Sequence, residues 1–527
     1  MKRTSILAIG ALLLTACPLA LDGFTIGDPN ADAGGGPDGG ADARFDAFQP
    51  DTSKTPDTSV DGTTIVDAKA ETGVDSSAVC DLTQDPKDSI ACVNDTDGVF
   101  VDTAGNDANN GKMATPVATL TKGLVVAKTR GIGRIYVCEG TYPEDVVVDS
   151  AHDGISIYGG FKCGAWTYSG IKPIVGKTQN PFKLDTLVKS VIIEDIETSG
   201  KDGDVNTPSS IGMFVNASTD VTLKRVKLIA GKGFNGAKST VASNYAKISQ
   251  NDITIRGMSA IGKVGGPTHA CMLCTDAKNS SGGGGGNAGG GVGSPGIDGT
   301  PNLNGAFPND GKGGLGDIGN GCTAGDQGAG GGTGTSATTP VSLGTFGQTG
   351  WTGAPGLGGT NGGPGQGGGG GGGDQTGNNS GGGAGAGCGG CGGGSGGGGL
   401  SAGSSIALGI VGSTVNVITS ELVALDGGAG GAGAGGQGGE LGGFSGQFNG
   451  AGCIAGIGGS GGAGGAGAGA AGGLSVGVLW KGAGAPTLDA NTQSKVTFGL
   501  RGTKGVGGIP GTNDGPDGVA QTVLQAL

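Results

Sequence analysis

Residues 211–231 read IGMFVNASTDVTLKRVKLIAG, and this stretch decides the fold. After an apolar–Gly–apolar opening, apolar residues recur at near-alternate positions, Val221, Leu223, Val226 and Leu228, until the glycine at the end. A period of two is typical of β-strands that bury one face, and glycine is typical of the turns that end them. The stretch therefore predicts short strands separated by tight turns.

The same pattern recurs elsewhere in the chain, which indicates an internal repeat. In such a repeat, alternate side chains enter a narrow core that the next repeat covers. We therefore predict an all-β fold of stacked strand sets. The other occurrences are Val191 to Gly200, a stretch that opens with Leu408-Gly409-Ile410 and ends at Gly427, and one that opens with Val476-Gly477-Val478 and ends at Gly502.

Residues 98–161 carry the first predicted strands together with a distinctive order of features. Asn106 and Asp107 follow a strand, Pro116 to Thr119 leads into an amphipathic helical stretch, and a later strand ends in Gly140-Thr141-Tyr142. This order resembles the opening of right-handed parallel β-helix domains of the pectate-lyase-like superfamily. The resemblance implies a right-handed parallel β-helix whose first strand edge is covered by one short N-terminal capping helix.

Long glycine-rich tracts begin where the strand sets end. Glycine at every third position, as in Gly427, Gly430 and Gly433, matches the period of polyproline-II helices. Two interpretations remain open: ordered bundles of polyglycine-II-like helices, which resemble the glycine-rich repeat domains of mycobacterial PE proteins, and disordered coil. We expect residues 369–399, which contain unbroken glycine runs, to be coil.

The amino terminus predicts export and a lipid anchor. Lys2 and Arg3 precede an apolar run, Ile6–Leu14, that is too short to span a bilayer as a permanent helix. The run ends in Leu-Thr-Ala-Cys17, which resembles a bacterial lipobox; the alternative is an ordinary signal peptide with a chance cysteine. The resemblance implies acylation of Cys17 and makes the membrane the first expected partner. Pro18, in place of the inner-membrane retention Asp, implies the outer membrane and display at the cell surface.

These observations divide the chain into seven predicted segments. The strand sets form three of them, and the glycine-rich tracts are insertions between the sets. The segments are 1–16 (lipoprotein signal peptide), 17–78 (lipidated Cys17 and disordered acidic tether), 79–264 (parallel β-helix with capping helix), 265–403 (glycine-rich insertion), 404–426 (β-helix strands), 427–473 (second glycine-rich insertion) and 474–527 (C-terminal strands and tail).

Composition limits the classes of function. Glycine supplies 128 of 527 residues and only 4% of residues are aromatic, so much of the chain is no conventional globule. The formal net charge is −13, and loss of residues 1–16 would make it more negative because Lys2 and Arg3 would go. A chain this acidic should repel nucleic acid, which we exclude as a partner.

The cysteines beyond Cys17 are even in number, which predicts disulfides in an exported chain. Two Cys-x-x-Cys pairs would also suit zinc, but they lie far apart in sequence and His269 alone does not complete a ligand set. We expect no metal and no cofactor, and the pairing stays open, although Cys138 and Cys163 lie about one repeat apart. The disulfide candidates are Cys80, Cys92, Cys138, Cys163, Cys271, Cys274, Cys322, Cys388, Cys391 and Cys453.

Acidic and basic residues on neighbouring strand sets are the pattern closest to catalysis. Many parallel β-helix enzymes cleave acidic polysaccharides with an Asp-bound calcium ion and an Arg or Lys base. The alternative is that these side chains point to solvent, which we favour because no second acid cluster accompanies them. The residues are Glu194, Asp195, Glu197, Lys224, Arg225 and Lys227.

Other polar and aromatic groups are ambiguous, and we favour structural roles for all of them. The histidines lack triad partners in sequence, the acidic turn residues suit turn hydrogen bonds as well as calcium, and the aromatics suit packing as well as sugar stacking. These residues are His152 and His269; Asp102, Asn106 and Asp107; and Tyr142, Tyr158, Phe161, Trp166 and Tyr168.

Together the patterns predict a surface-displayed, lipid-anchored structural or adhesive protein without a catalytic site. Its expected partners are the membrane, through the anchor, and polysaccharide or a neighbouring cell surface. Repetitive stacked folds present long, flat surfaces that suit such binding. The alternative function is that of a calcium-dependent polysaccharide lyase or hydrolase of the parallel β-helix class.

Overall fold

The computed structural model describes residues 80–303, 310–482 and 484–527. This part of the chain is mainly β, built from parallel sheets with very little helix. None of the helices in the described ranges is long and apolar enough to cross a membrane. The predicted signal peptide, Cys17 and the tether lie outside the described residues.

The strands are short and follow the predicted sets. Up to residue 229 they are β1 (Val99–Val101), β2 (Arg134–Cys138), β3 (Thr141–Tyr142), β4 (Val146–Val148), β5 (Ser156–Phe161), β6 (Ile174–Val175), β7 (Phe182–Asp185), β8 (Val191–Glu194), β9 (Glu197–Ser199), β10 (Ser210–Asn216), β11 (Val221–Lys224) and β12 (Lys227–Ile229). Beyond it they are β13 (His269–Cys271), β14 (Ser280–Gly282), β15 (Ala288–Gly289), β16 (Val292–Gly293), β17 (Gly344–Gly347), β18 (Gly350–Gly353), β19 (Ser405–Val411), β20 (Val415–Ile418), β21 (Glu421–Val423), β22 (Ser475–Lys481), β23 (Thr487–Leu488), β24 (Val496–Thr497) and β25 (Ala520–Gln525). The helices are α1 (Leu120–Arg130) and α2 (Ala490–Gln493), and 3-10 turns span Ile90–Cys92, Ser150–His152 and Gly377–Asn379.

Three parallel sheets organise most of these strands, and from β2 onward each successive strand of these sheets enters a different sheet from the one before. Their orders are β1-β2-β5-β8-β11-β20-β23, β25-β22-β19-β10-β7-β4 and β24-β21-β12-β9-β6-β3. We name them sheets A, B and C in that order. The chain therefore passes from A to C to B before it returns to A, as in β5, β6 and β7. Three small antiparallel hairpins, β13-β14, β15-β16 and β17-β18, lie among the later segments.

Like residues stack between neighbouring strands, and their side chains form a large main core and smaller apolar clusters. Ile211 pairs with Ile406, and Ile406 pairs with Val476 in the next set. Ile211-Gly212 and Leu408-Gly409 share the apolar–Gly pattern, but the structure pairs Leu408 with Met213. The two patterns are therefore offset by two residues, a shift that leaves the same side chains facing inward.

Helix α1 packs beside the first strands. Thr119 caps its start by accepting a hydrogen bond from the Lys122 amide, and Gly131 ends it at φ 68°, a left-handed conformation that glycine adopts at little cost. Leu120 and Leu124 are buried in the main core. The helix therefore lies where the sequence predicted it, and it contacts β1, β2 and β4.

The glycine-rich segments are joined by backbone hydrogen bonds at every third residue. Gly356 donates to the Gly399 carbonyl over 2.9 Å, and Gly359 to that of Gly396. The segment that contains Gly396 and Gly399 also bonds to a third segment. Its Gly390 donates to the Gly459 carbonyl oxygen over 2.9 Å. This regular exchange matches the period-three interpretation and contradicts flexible coil for the bonded segments.

Residues 381–400 form the centre of this array, so the expectation that residues 369–399 are coil was wrong. They exchange backbone hydrogen bonds with surrounding segments on all sides, at residues 237–242, 255–266, 283–286, 356–371, 431–449 and 453–468. A side chain has no space there: a Cβ atom on Gly390 would lie 2.0 Å from the Glu440 carbonyl oxygen. Unbroken glycine runs are therefore required where every face of a segment touches another backbone.

Five disulfides tie the described residues together, which confirms the expectation of disulfides. The two Cys-x-x-Cys pairs are joined crosswise, so neither pair closes on itself. The bridges are Cys80–Cys92, Cys138–Cys163, Cys271–Cys388, Cys274–Cys391 and Cys322–Cys453. The last three connect glycine-rich segments that are more than a hundred residues apart in sequence.

Candidate functional site

The acidic and basic candidates meet at the turns between sheet A and sheet C. Lys224 pairs in register with Glu194, so the next residues, Asp195 and Arg225, occupy equivalent turn positions. Both have left-handed backbone conformations, φ 52° and φ 50°, where the chain turns from a strand of sheet A into the next strand, in sheet C. The fold therefore stacks an acidic turn residue directly beside a basic one.

Arg225 binds both carboxylates. Its Nε lies 3.2 and 3.1 Å from the two carboxylate oxygens of Asp195, and its Nη2 lies 2.9 Å from Asp195 Oδ2. Nη2 also contacts Glu194 Oε1. Glu194 and Asp195 are 2% and 1% exposed, so the expectation that they point to solvent was wrong. Glu197 and Lys227 form a separate, half-buried pair 3.6 Å apart.

A segment remote in sequence covers this group. Asp85 binds Lys224 and lies 3.2 Å from Arg225 Nη1, although about 140 residues separate these partners. Tyr168 donates a hydrogen bond to Asp195 over 3.1 Å, and Lys172 Nζ lies 3.9 Å from the same carboxylate. The sequence did not predict Asp85, Tyr168 or Lys172 as partners of this network. A single Asp in a polar stretch, such as Asp85, does not indicate that the segment will cover a sheet.

The arrangement is better suited to stability than to catalysis. Burial raises the pKa of Asp195 to about 6, and Lys172 and Tyr168 oppose the rise. Such a pKa suits acid–base chemistry. However, the carboxylate oxygens already accept hydrogen bonds from Arg225 and Tyr168, and the residue is almost fully buried. These contacts favour a stabilising role for Asp195.

Substitution of Arg225 tests whether the network stabilises the fold. In the variant Arg225→Met we expect the free energy of unfolding to fall by about 3–5 kcal/mol, because two buried carboxylates lose their partner. The matched variant Lys227→Met, which breaks the more exposed pair with Glu197, should cost about 1 kcal/mol or less. Denaturant unfolding of both variants measures the difference. Equal losses would show that the buried network contributes nothing special.

The remaining sequence candidates make local structural contacts. His152 Nδ1 lies 2.8 Å from Asp149 Oδ1, and His269 Nδ1 lies 2.7 Å from the Arg256 carbonyl oxygen. The acidic turn residues accept backbone hydrogen bonds, as the sequence favoured; Asp107, for example, binds the amides of residues 118 and 119. Neither histidine is therefore arranged with a nucleophile in the described part of the chain.

The aromatic residues are used mainly in packing. Tyr142 is buried in the main core and donates to the Cys138 carbonyl over 3.0 Å. Trp166 meets Phe100 edge to face, with ring centroids 4.6 Å apart. The others belong to or border the same cluster, which lies outside the main core: Tyr158, Phe161 and Tyr168. Four of the five are buried, and Tyr168, the least buried, lies edge to face with Phe161.

Two groups of potential metal ligands occur among the described residues. One combines His269 with Cys271 and Cys388, and the other combines Asp102 with Cys138 and Cys163. In each group the two sulfur atoms belong to one disulfide. Metal binding by cysteine needs the thiolate, so neither group can hold a metal while its bridge is intact.

The comparisons with known proteins provide no family. No protein-family model matches the chain, and neither the curated proteins nor the solved structures include a significant match. The fold class is therefore defined by the structure itself: a mainly β protein of parallel sheets, to which hydrogen-bonded glycine-rich segments and disulfides are added.

Proposed function

We propose that the three sheets are the faces of one right-handed parallel β-helix, and that the glycine-rich segments form a polyglycine-II-like bundle beside it. The rotation of consecutive strands through sheets A, C and B supports the helix. Right-handed connections between parallel strands are the rule in proteins. The period-three hydrogen bonds support the bundle.

In our proposal this assembly is a structural or adhesive protein displayed on a cell surface, and it performs no catalysis. The observation that carries the proposal is the Asp195–Arg225 network. Its acidic and basic side chains are the ones that most resemble the catalytic groups of β-helix enzymes, and they bind one another. Backbone hydrogen bonds and five disulfides link the rest of the described chain, which suits use as a spacer or a binding platform.

Display at the surface rests on the amino-terminal sequence. A lipid on Cys17 would hold the chain to the outer membrane, and the acidic segment up to residue 78 would act as a tether. The expected binding partners are polysaccharides or a neighbouring cell surface.

Substitution of Cys17 tests the anchor. In Cys17→Ser we expect loss of labelling by a palmitate analogue and release of the protein from the membrane fraction, because no acyl chain can be attached. The change Pro18→Ala, next to the modified residue, should leave both properties unchanged. When intact cells are treated with protease, the parent protein should be degraded, because it is displayed at the cell surface. Full membrane retention of the unlabelled Cys17→Ser protein would refute the lipid anchor.

A further inference from the structure

A cleft of about 390 Å³ lies on the outer side of sheet A. Its floor comes from β2 and β5 through Arg134, Ser156 and Tyr158. Its wall comes from Leu82, in the segment that Cys80–Cys92 closes, and from Thr96 and Asp97 beyond it. Volumes of roughly 300–1,000 Å³ are usual for small-ligand sites. The cleft is thus large enough for a small ligand.

Arg134 is the unusual residue of this cleft. It is 7% exposed, and its guanidinium lies over the Tyr158 ring, 5.1 Å from the centroid. Its Nη2 donates to the carbonyl oxygens of Leu82 and Gln84, whereas Nη1 is buried with no hydrogen-bond partner among the described residues. A buried guanidinium nitrogen without an acceptor is costly, and a ligand carboxylate would supply one.

The rest of the lining suits a sugar ring. Hydroxyl groups come from Thr96, Ser156 and Ser190, and the Asp97 carboxylate lies in the same wall. These groups can exchange hydrogen bonds with ring hydroxyls, and Ile132 and Ile192 add apolar surface for ring carbons. One cation, one anion and several hydroxyls around an apolar patch fit a carboxylated sugar better than a wholly apolar ligand.

We infer that this cleft binds a single uronic acid unit of an acidic polysaccharide, with its carboxylate on Arg134 and its hydroxyls on Asp97 and the neighbouring serines. The inference deepens the proposed adhesive function and rests on it, because it names the class of glycan that the displayed protein would hold.

The test measures binding of glucuronic acid to the soluble chain from residue 18, with glucose as the neutral match. Saturation-transfer NMR and titration calorimetry should show saturable binding of glucuronic acid only. Arg134→Gln should weaken this binding at least about tenfold, since a charged hydrogen bond is lost. Ser190→Asp, an exposed position at the rim, should weaken it similarly through charge repulsion and should leave the protein folded.

Each outcome decides the inference. Selective binding of the acid that is lost in Ser190→Asp supports it, even if Arg134→Gln fails to fold. Equal binding of glucose, or unchanged binding in a folded Ser190→Asp protein, overturns it. No saturable binding of either sugar also overturns it, but leaves the proposed function standing if palmitate labelling and surface exposure of the parent protein persist.

Discussion

Gly439→Val is expected to lower the free energy of unfolding of the glycine-rich bundle by more than about 3 kcal/mol, because there is no room for a side chain. A Cβ atom on Gly439 would lie 1.8 Å from the Gly461 carbonyl oxygen, inside a row of backbone hydrogen bonds. Backbone cannot move aside there without breaking bonds such as that from Gly461 to Glu440. Denaturant unfolding and hydrogen exchange in residues 427–473 measure the effect.

The adjacent glycine provides the control. A Cβ atom on Gly438 would meet nothing within 4 Å, and the residue is exposed. Gly438→Val should therefore change stability by about 0.5 kcal/mol or less, as for an ordinary surface substitution. If both variants were equally mild, or equally severe, the packed bundle would be refuted, since only close packing distinguishes the two positions.

The disulfides should contribute different amounts to the free energy of unfolding, according to the length of the loop that each one closes. Joint substitution of Cys322 and Cys453 by serine should cost about 5 kcal/mol, because the bridge closes a loop of 131 residues in the unfolded chain. The matched substitution of Cys80 and Cys92 removes a bridge that spans 12 residues and should cost about 3 kcal/mol. Thermal and denaturant unfolding of the two double variants provide the comparison.

The opposite order would contradict the explanation by loop length, because the longer loop should lose more conformational freedom in the unfolded chain. Hydrogen exchange in residues 323–337 and 454–466, which pair directly, would show whether the bundle opens locally.

The strand sets could be predicted because their signal is local. Alternation in Val221, Leu223, Val226 and Leu228 places one face in a core whatever lies next to it, and the structure buries all four. Register between distant sets could not be fixed in this way. A shift of two residues keeps the same face buried, so the pattern around Leu408 fitted two alignments equally well.

The candidate site and the bundle depend on contacts that the local sequence does not encode. Glu194 and Asp195 look like surface residues until Asp85 and Arg225 are placed over and beside them. Likewise, an unbroken glycine run has the composition of flexible coil when read alone. Residues 381–400 are ordered because other segments surround them, and those neighbours come from much of the chain.

The most direct test of the central claim, a binding platform without catalysis, uses the soluble chain from residue 18. It is incubated with acidic and neutral polysaccharides, with and without calcium, while new chain ends are counted. We expect no new ends on any substrate, because Asp195 and Arg225 are occupied by each other. Calcium-dependent appearance of new ends, abolished by Asp195→Asn in a folded protein, would contradict the account and establish a polysaccharide-cleaving enzyme.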